Sequence, residues 1–280
     1  MTQTTTGAPA DRTMKLNTGA EIPRVGLGVY QTPRGESTRA AVRAGIELGY
    51  RHIDTARAYG NEADVGAAVR EAAVPREELF VTTKLWNTDH GYDAARRAFD
   101  ASLARLGLDY IDLYLLHWPV PELRLESWRA LEEIHASGRA RAIGVSNFMT
   151  HHLEELLARA TVVPAVNQIE VSPFLQQREV RAFCAARGIV VEAYSPLTKG
   201  ERLDHPAVRR IAGERGLSAA QVLLCWGLQR DLVILPKSVT PARLAENLAA
   251  QDLALGGEHL AALDALEEGL VTGWDPRDQP

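Results

Sequence analysis

From Val25 onward the chain alternates short runs of β-branched and apolar residues with longer amphipathic runs. A strand that must return to a parallel neighbour needs a crossover, usually a helix, so this alternation favours a parallel sheet with helices on its faces. Eight strand-like runs can be read: Val25–Leu27, Arg51–Thr55, Leu79–Lys84, Ile111–His117, Ala142–Val145, Ala165–Gln168, Ile189–Tyr194 and Val233–Leu235. Eight is the strand number of the (β/α)8 TIM barrel, an α/β fold that takes about 250 residues as one domain. The 280 residues, 46% of them hydrophobic, suffice for that one core.

Helix signals fill the intervals. Glu36–Leu48, Tyr92–Leu106 and Arg129–Ser137 each run into a glycine (Gly49, Gly107 and Gly138) suited to a left-handed C-terminal cap. Between the last two strands lie two helical patterns, Pro206–Arg215 and Ser218–Gln229, and a further one, Glu258–Leu270, trails the barrel. Ahead of it, Met14–Leu16 and Glu21–Ile22 flank Asn17-Thr18-Gly19-Ala20, the turn chemistry of a β-hairpin that would cap one barrel end. The first residues are Thr, Ala and Pro without apolar periodicity. The expected organisation is therefore a disordered tail over 1–13 and a single barrel domain over 14–280.

Composition narrows the partners. A formal charge of -5 with Lys and Arg scattered among Asp and Glu offers no basic stripe for nucleic acid. No stretch approaches the roughly 18 apolar residues of a membrane helix, and no secretory core opens the chain, so a cytoplasmic protein is expected. Cys184 and Cys225 stand alone within helical patterns and read as packing residues. Neither they nor His151 and His152 carry metal-ligand spacing, so no metal is expected.

In such barrels chemistry gathers at the C-terminal ends of the strands. Here the seven apolar runs after the first end in polar groups: Asp54, Lys84, His117, Ser146 with Asn147, Gln168 followed by Glu170, Tyr194 with Ser195, and Lys237 with Ser238. Any one of these simply marks a strand leaving the core. As a set, with Tyr59 just beyond the second run, they describe an acid–base cluster. A phenol near pKa 10 is a poor acid at neutral pH, and a neighbouring ammonium lowers it. At about 4 Å and an effective dielectric of about 20 that attraction is roughly 4 kcal/mol, against about 1.4 kcal/mol per pKa unit. Lys84 beside Tyr59 is sufficient in size, provided a carboxylate, Asp54, keeps the buried amine charged. His117 then orients a carbonyl oxygen.

Gly49-Tyr50-Arg51-His52-Ile53-Asp54-Thr55-Ala56, followed by Tyr59, Asn61 and Glu62, resembles the long signature of the aldo-keto reductases. The resemblance continues through Thr83-Lys84-Leu85-Trp86, Leu115-Leu116-His117-Trp118-Pro119, Gly144-Val145-Ser146-Asn147-Phe148, Asn167-Gln168-Ile169-Glu170, Tyr194-Ser195-Pro196-Leu197 and Leu235-Pro236-Lys237-Ser238. Within the family, the compact segment after Pro119 and the tail Thr272-Gly273-Trp274-Asp275-Pro276 are similar to prokaryotic 2,5-diketo-D-gluconate reductases.

The resemblance implies NADPH-dependent reduction of small aldehydes, ketones, dicarbonyls or keto sugar acids, with Tyr59 as general acid, Lys84 and Asp54 tuning it, and His117 positioning the carbonyl. It further implies that Ser146, Asn147 and Gln168 bond the nicotinamide carboxamide and that Tyr194 stacks on its ring. Ser195 and Leu197 open the pyrophosphate loop. Lys237, Ser238 and Arg243 match the group that holds the 2′-phosphate, with Glu246 and Asn247 at the adenine, so NADPH is favoured over NADH. Tyr30, Trp86 and Trp118 are expected to wall the substrate pocket, and a monomer is the family's usual state. Thr198-Lys199-Gly200 departs from the glycine-rich loop start of many members; Lys199 either contacts the pyrophosphate or faces solvent.

Other features are weaker. Gly26-Leu27-Gly28 lacks the third glycine and the helix of a dinucleotide fingerprint and reads as barrel strand. Trp274 either folds over the mouth or packs outside the barrel. Glu132-Glu133 and Glu267-Glu268 read as solvated helix faces. Two other functions compete: a lysine forming a Schiff base, as in aldolases, and an NADPH-binding barrel that reports redox state to a partner.

Overall fold

A computed structural model describes residues 8–279, so most of the proposed 1–13 tail lies outside the described residues. What is described of it is partly tied down. Arg12 pairs with Asp252 at 2.7 Å, its carbonyl accepts from the Arg24 amide, and Thr13 already belongs to the hairpin, β1 (Thr13–Lys15) and β2 (Glu21–Pro23).

The barrel follows in chain order. Strand β3 (Gly26–Gly28) leads into α1 (Glu36–Leu48), β4 (His52–Asp54) into α2 (Glu62–Glu71), and β5 (Phe80–Leu85) into α3 (Tyr92–Leu106). Then β6 (Ile111–Leu116) precedes α4 (Arg124–Ala136), β7 (Ala140–Ser146) precedes α5 (Thr150–Leu157), and β8 (Val166–Glu170) precedes α6 (Arg178–Ala185). Strand β9 (Val190–Tyr194) is followed by α7 (Pro206–Arg215) and α8 (Ala219–Gln229), and β10 (Val233–Leu235) by α9 (Pro241–Ala249) and α10 (Gly257–Asp264). Strands β3 to β10 pair in sequence order, all parallel. The first and last meet through bridges between Val25 and Ile234 and between Gly28 and Lys237, so the sheet closes into the (β/α)8 barrel.

Every expected strand is present within one or two residues of its expected bounds. Gly49 and Gly107 end α1 and α3 at φ 110° and 63°, a conformation that costs a residue with a Cβ. Two helices differ. Helix α4 begins at Arg124 rather than Arg129, because the Arg124 guanidinium docks on the Pro119 carbonyl and on Glu155 and starts the helix early. Helix α10 stops at Asp264 because the chain beyond it peels onto the barrel: the amides of Glu268 and Leu270 donate to the Phe174 carbonyl. The acidic pairs also do more than face solvent. Glu132 accepts the amides of Thr161 and Val162, and Glu267 accepts that of Gln176.

Alternation along the strands divides the packing into two layers. Outward residues such as Val81, Tyr114, Ile143, Ile169, Val191 and Ile234 pack against the helices. Inward residues Phe80, Leu113, Leu115, Ala142, Val166, Val190 and Val233 form a separate apolar cluster with Leu16 and Ile22 of the hairpin, which seals that end. Two residues further along the same inward faces stand Thr82, Gln168 and Glu192, all buried. The interior thus passes from an apolar floor to a polar middle beneath the strand C-termini.

Close strand approach sets that middle. A Cβ on Gly144 would lie 2.5 Å from the Val166 carbonyl oxygen. Gly144→Ala is expected to push β7 from β8, lowering stability by about 1–3 kcal/mol as overpacking does, read from the urea midpoint of the two proteins.

Candidate active site

The site is centred on a buried cation. Lys84 reaches the C-terminal end of β5 with no solvent exposure, and its ammonium donates to both carboxylate oxygens of Asp54 (2.7 and 2.8 Å), to the Thr55 carbonyl (2.9 Å) and to the Tyr59 hydroxyl (3.3 Å). Such a pair survives burial only with its hydrogen-bonding capacity used, as it is here. Because the Tyr59 oxygen accepts from Lys84, the phenolic proton is left to point into the mouth. With every Lys84 proton engaged, a Schiff-base role is disfavoured.

Tyr59 sits on a single turn after β4 that places its ring against Tyr30 and His117, at centroid separations of 5.0 and 5.8 Å. Although the ring keeps some exposure, its hydroxyl lies among buried groups. Burial raises the phenol well above its ordinary pKa, and the charge of Asp54 adds to the rise. Lys84 donates to the same phenol oxygen, while burial and Asp54 act in the opposite sense. The geometry holds the phenol in its protonated form.

His117, one residue past β6, is also neutral. Burial lowers its pKa well below the usual value, and the charges of Lys84 and His90 lower it further. Its Nδ1 has no hydrogen-bond partner among the described residues, and its ring meets Trp86 edge-on at 5.2 Å. A neutral imidazole here can donate one N–H to an oxygen in the mouth without carrying charge.

The neighbouring strand ends bring the remaining polar residues together. Ser146 donates to the Gln168 carbonyl, and Asn147, at φ 63°, donates to the His117 carbonyl and to Ser146. The Tyr194 hydroxyl donates to Asn147 Oδ1 at 2.7 Å, so the hydrogen bonds of Asn147 are already engaged within the protein. Gln168 turns its Nε2 inward, to Asp54 Oδ2 at 2.9 Å and Glu192 Oε2 at 2.5 Å. Ser195 and Leu197 lie on the turn after β9, with Ser195 at φ 49°. Beyond β10, Lys237 and Arg243 are exposed and form no ion pair among the described residues, Ser238 accepts the Thr240 amide, and Glu246 and Asn247 lie on α9.

At the rim, Tyr30 is 52% exposed beside Tyr59, and Trp118 faces Trp274 at 5.7 Å. Trp274 therefore folds toward the mouth. Its segment is held there by Glu170, which accepts both the amide and the hydroxyl of Thr272, and by Lys199, which donates to the Thr272 carbonyl. Lys199 thus has a protein partner, which its sequence context did not indicate. Glu170 was among the strand-end polar groups of the sequence, with no role given; Glu192 and His52 were not singled out as parts of the site. The available signal was period two: Glu192 precedes Tyr194 by two positions on β9, and His52 precedes Asp54 by two on β4.

The chain is similar to several known proteins. A sequence model of the aldo/keto reductase family matches residues 24–268. An aldo-keto reductase of Mycolicibacterium smegmatis is 50% identical over 94% of this chain and 96% of its own. The glyoxal reductase of Bacillus subtilis is 47% identical over 94% and 96%. Among solved structures, a mutant of Gox0644 in complex with NADPH superposes with a TM-score of 0.91 at 40% identity, over 98% of this chain and all of that one.

The ion pair at the centre gives a stability prediction. Asp54→Ala leaves an unpaired ammonium inside the barrel and is expected to cost about 3–5 kcal/mol, much of it recovered when Lys84→Met is added. Urea unfolding of the single and double variants measures both.

Proposed function

The chain belongs to the aldo/keto reductase family, and on that premise we propose that it reduces the carbonyl of small aldehydes, ketones, dicarbonyls or keto sugar acids, with Tyr59 as the proton donor. The observation that carries this reading is the convergence on one mouth of a protonated phenol, the buried Lys84–Asp54 pair and a neutral His117.

The residues beyond β10 suit NADPH. Lys237 and Arg243, exposed and free of acidic partners among the described residues, match the charge of a 2′-phosphate, and Arg243 adds a planar fork of donors. Ser238, Glu246 and Asn247 complete that end. Gln168 Oε1 takes part in no hydrogen bond among the described residues and is available to an amide donor, with Ser146 beside it. Tyr194, tethered by Asn147, offers a ring face at the same depth. When bound there, NADPH supplies the hydride.

The protein's own residues do the rest. The N–H of His117 orients the carbonyl oxygen toward Tyr59, and the Tyr59 hydroxyl donates its proton to that oxygen as negative charge builds on it. Lys84, bonded to the phenol oxygen, stabilises the phenolate left behind, and Asp54 holds Lys84 in place. Tyr30, Trp86 and Trp118, joined by Trp274, present apolar ring surface to the substrate. All these groups come from one chain, which suits a monomer.

Oxidation of NADPH by the purified protein, followed with methylglyoxal, phenylglyoxal, a nitrobenzaldehyde and a keto sugar acid, tests the reading. Tyr59→Phe is expected to lose at least about a hundredfold in turnover while still binding NADPH; unchanged turnover would remove Tyr59 as the acid. Arg243→Ala is expected to weaken NADPH about tenfold or more and NADH little. Equal losses for the two nucleotides, measured by fluorescence titration, would place the 2′-phosphate elsewhere.

A further inference from the structure

Glu192 stands in the middle of the barrel with no solvent exposure, and the proposed mechanism makes no use of it. The groups that face it are His52 and Asp54 from β4, Lys84 from β5, Gln168 from β8 and Tyr59 from the turn after β4. Its partner across β10 is the apolar Val233. The charge count of this interior is one cation, Lys84, and two carboxyl groups, Asp54 and Glu192. Lys84 is spent on Asp54. An ionised Glu192 would leave a net negative charge buried with no cation bonded to it, which proteins avoid by protonation.

His52, the nearest ring, brings no cation to it. His52 Nδ1 faces the Pro23 carbonyl at 3.2 Å, an acceptor only, so Nδ1 carries the proton. Burial lowers the His52 pKa to about 4, so the ring is neutral and Nε2 is an acceptor. That Nε2 faces the Thr82 hydroxyl at 3.2 Å, which can donate to it, and lies 3.4 Å from Glu192 Oε1, which has no hydrogen-bond partner among the described residues. At the other oxygen, Gln168 Nε2 donates to Glu192 Oε2 at 2.5 Å and also to Asp54 Oδ2 at 2.9 Å. Both amide protons of Gln168 are thereby consumed, and its Oε1 turns away from the carboxyl groups.

Resting on the reductase reading, we propose that Glu192 is a neutral carboxylic acid at physiological pH, a positioning residue whose hydrogen bond with Gln168 keeps the Gln168 oxygen aimed at the nicotinamide carboxamide. Its ionisation in alkali then places a second negative charge beside Asp54 and weakens cofactor binding. The direction agrees with the environment: burial first, and the charge of Asp54 next, raise Glu192 to about 8. Protonation is favoured in the fold, so the arrangement is intact below that value and is lost as pH rises through it.

Glu192→Gln mimics the protonated acid, since it carries no charge and its carbonyl can accept from Gln168. The test is NADPH fluorescence titration from pH 7 to 9.5, joined to infrared spectroscopy in deuterated buffer. The natural protein is expected to lose affinity about tenfold between pH 7 and 9, and the Gln variant to give a flat profile. At pH 7 the infrared spectrum is expected to contain a protonated-carboxyl C=O stretch that disappears in Glu192→Gln. An alkaline fall retained by the variant, or no such band at pH 7, overturns the proposal. Failure to bind NADPH or to turn over any carbonyl would instead remove the reductase reading, and the infrared band still decides the state of Glu192.

Discussion

A single buried ammonium organises the catalytic end of this barrel. Lys84, at zero exposure, donates to both carboxylate oxygens of Asp54, and removing either partner would leave the other buried without its counter-charge. Once the pair exists, its neighbours are constrained. Tyr59 must approach from the mouth to satisfy the remaining ammonium direction, His117 is kept neutral in part by the ammonium's charge, and Gln168 is oriented by the outer oxygen of Asp54.

The barrel makes this arrangement affordable by grading its interior. Near the hairpin the inward positions are Phe80, Leu113, Val166, Val190 and Val233, closed off by Leu16 and Ile22. Two residues on, the same faces carry Thr82, Gln168 and Glu192, and two further, or just beyond the strand ends, Lys84, Glu170 and Tyr194. Hydrogen bonds link these polar residues to one another, which offsets the cost of removing each from water. The rim is built differently, from aromatic rings and a C-terminal segment strapped by Glu170 and Lys199.

The positions of the elements were legible because strands and helices announce themselves by local pattern. The boundaries that slipped were those set by distant partners: α4 starts early because Arg124 reaches Glu155 and Pro119, and α10 ends early because Phe174 captures the following chain. Among site residues, Asp54, Lys84, Tyr59 and His117 were legible as strand-end groups and from the resemblance. Asn147, expected at the nicotinamide carboxamide, is also bonded within the protein to His117, Ser146 and Tyr194, partners that no local pattern announces.

By itself the sequence determined which residues are strands, which ends of those strands are polar, and which family signature they form, since each is encoded in spacing along one segment. Only the tertiary structure decided the electrostatics. The pKa of Tyr59 depends on burial and on Asp54, and the state of Glu192 depends on burial and on Asp54, Gln168 and Lys84 from other strands. Desolvation and charge act through space, and the distances that set them exist only after the eight strands have closed on one another.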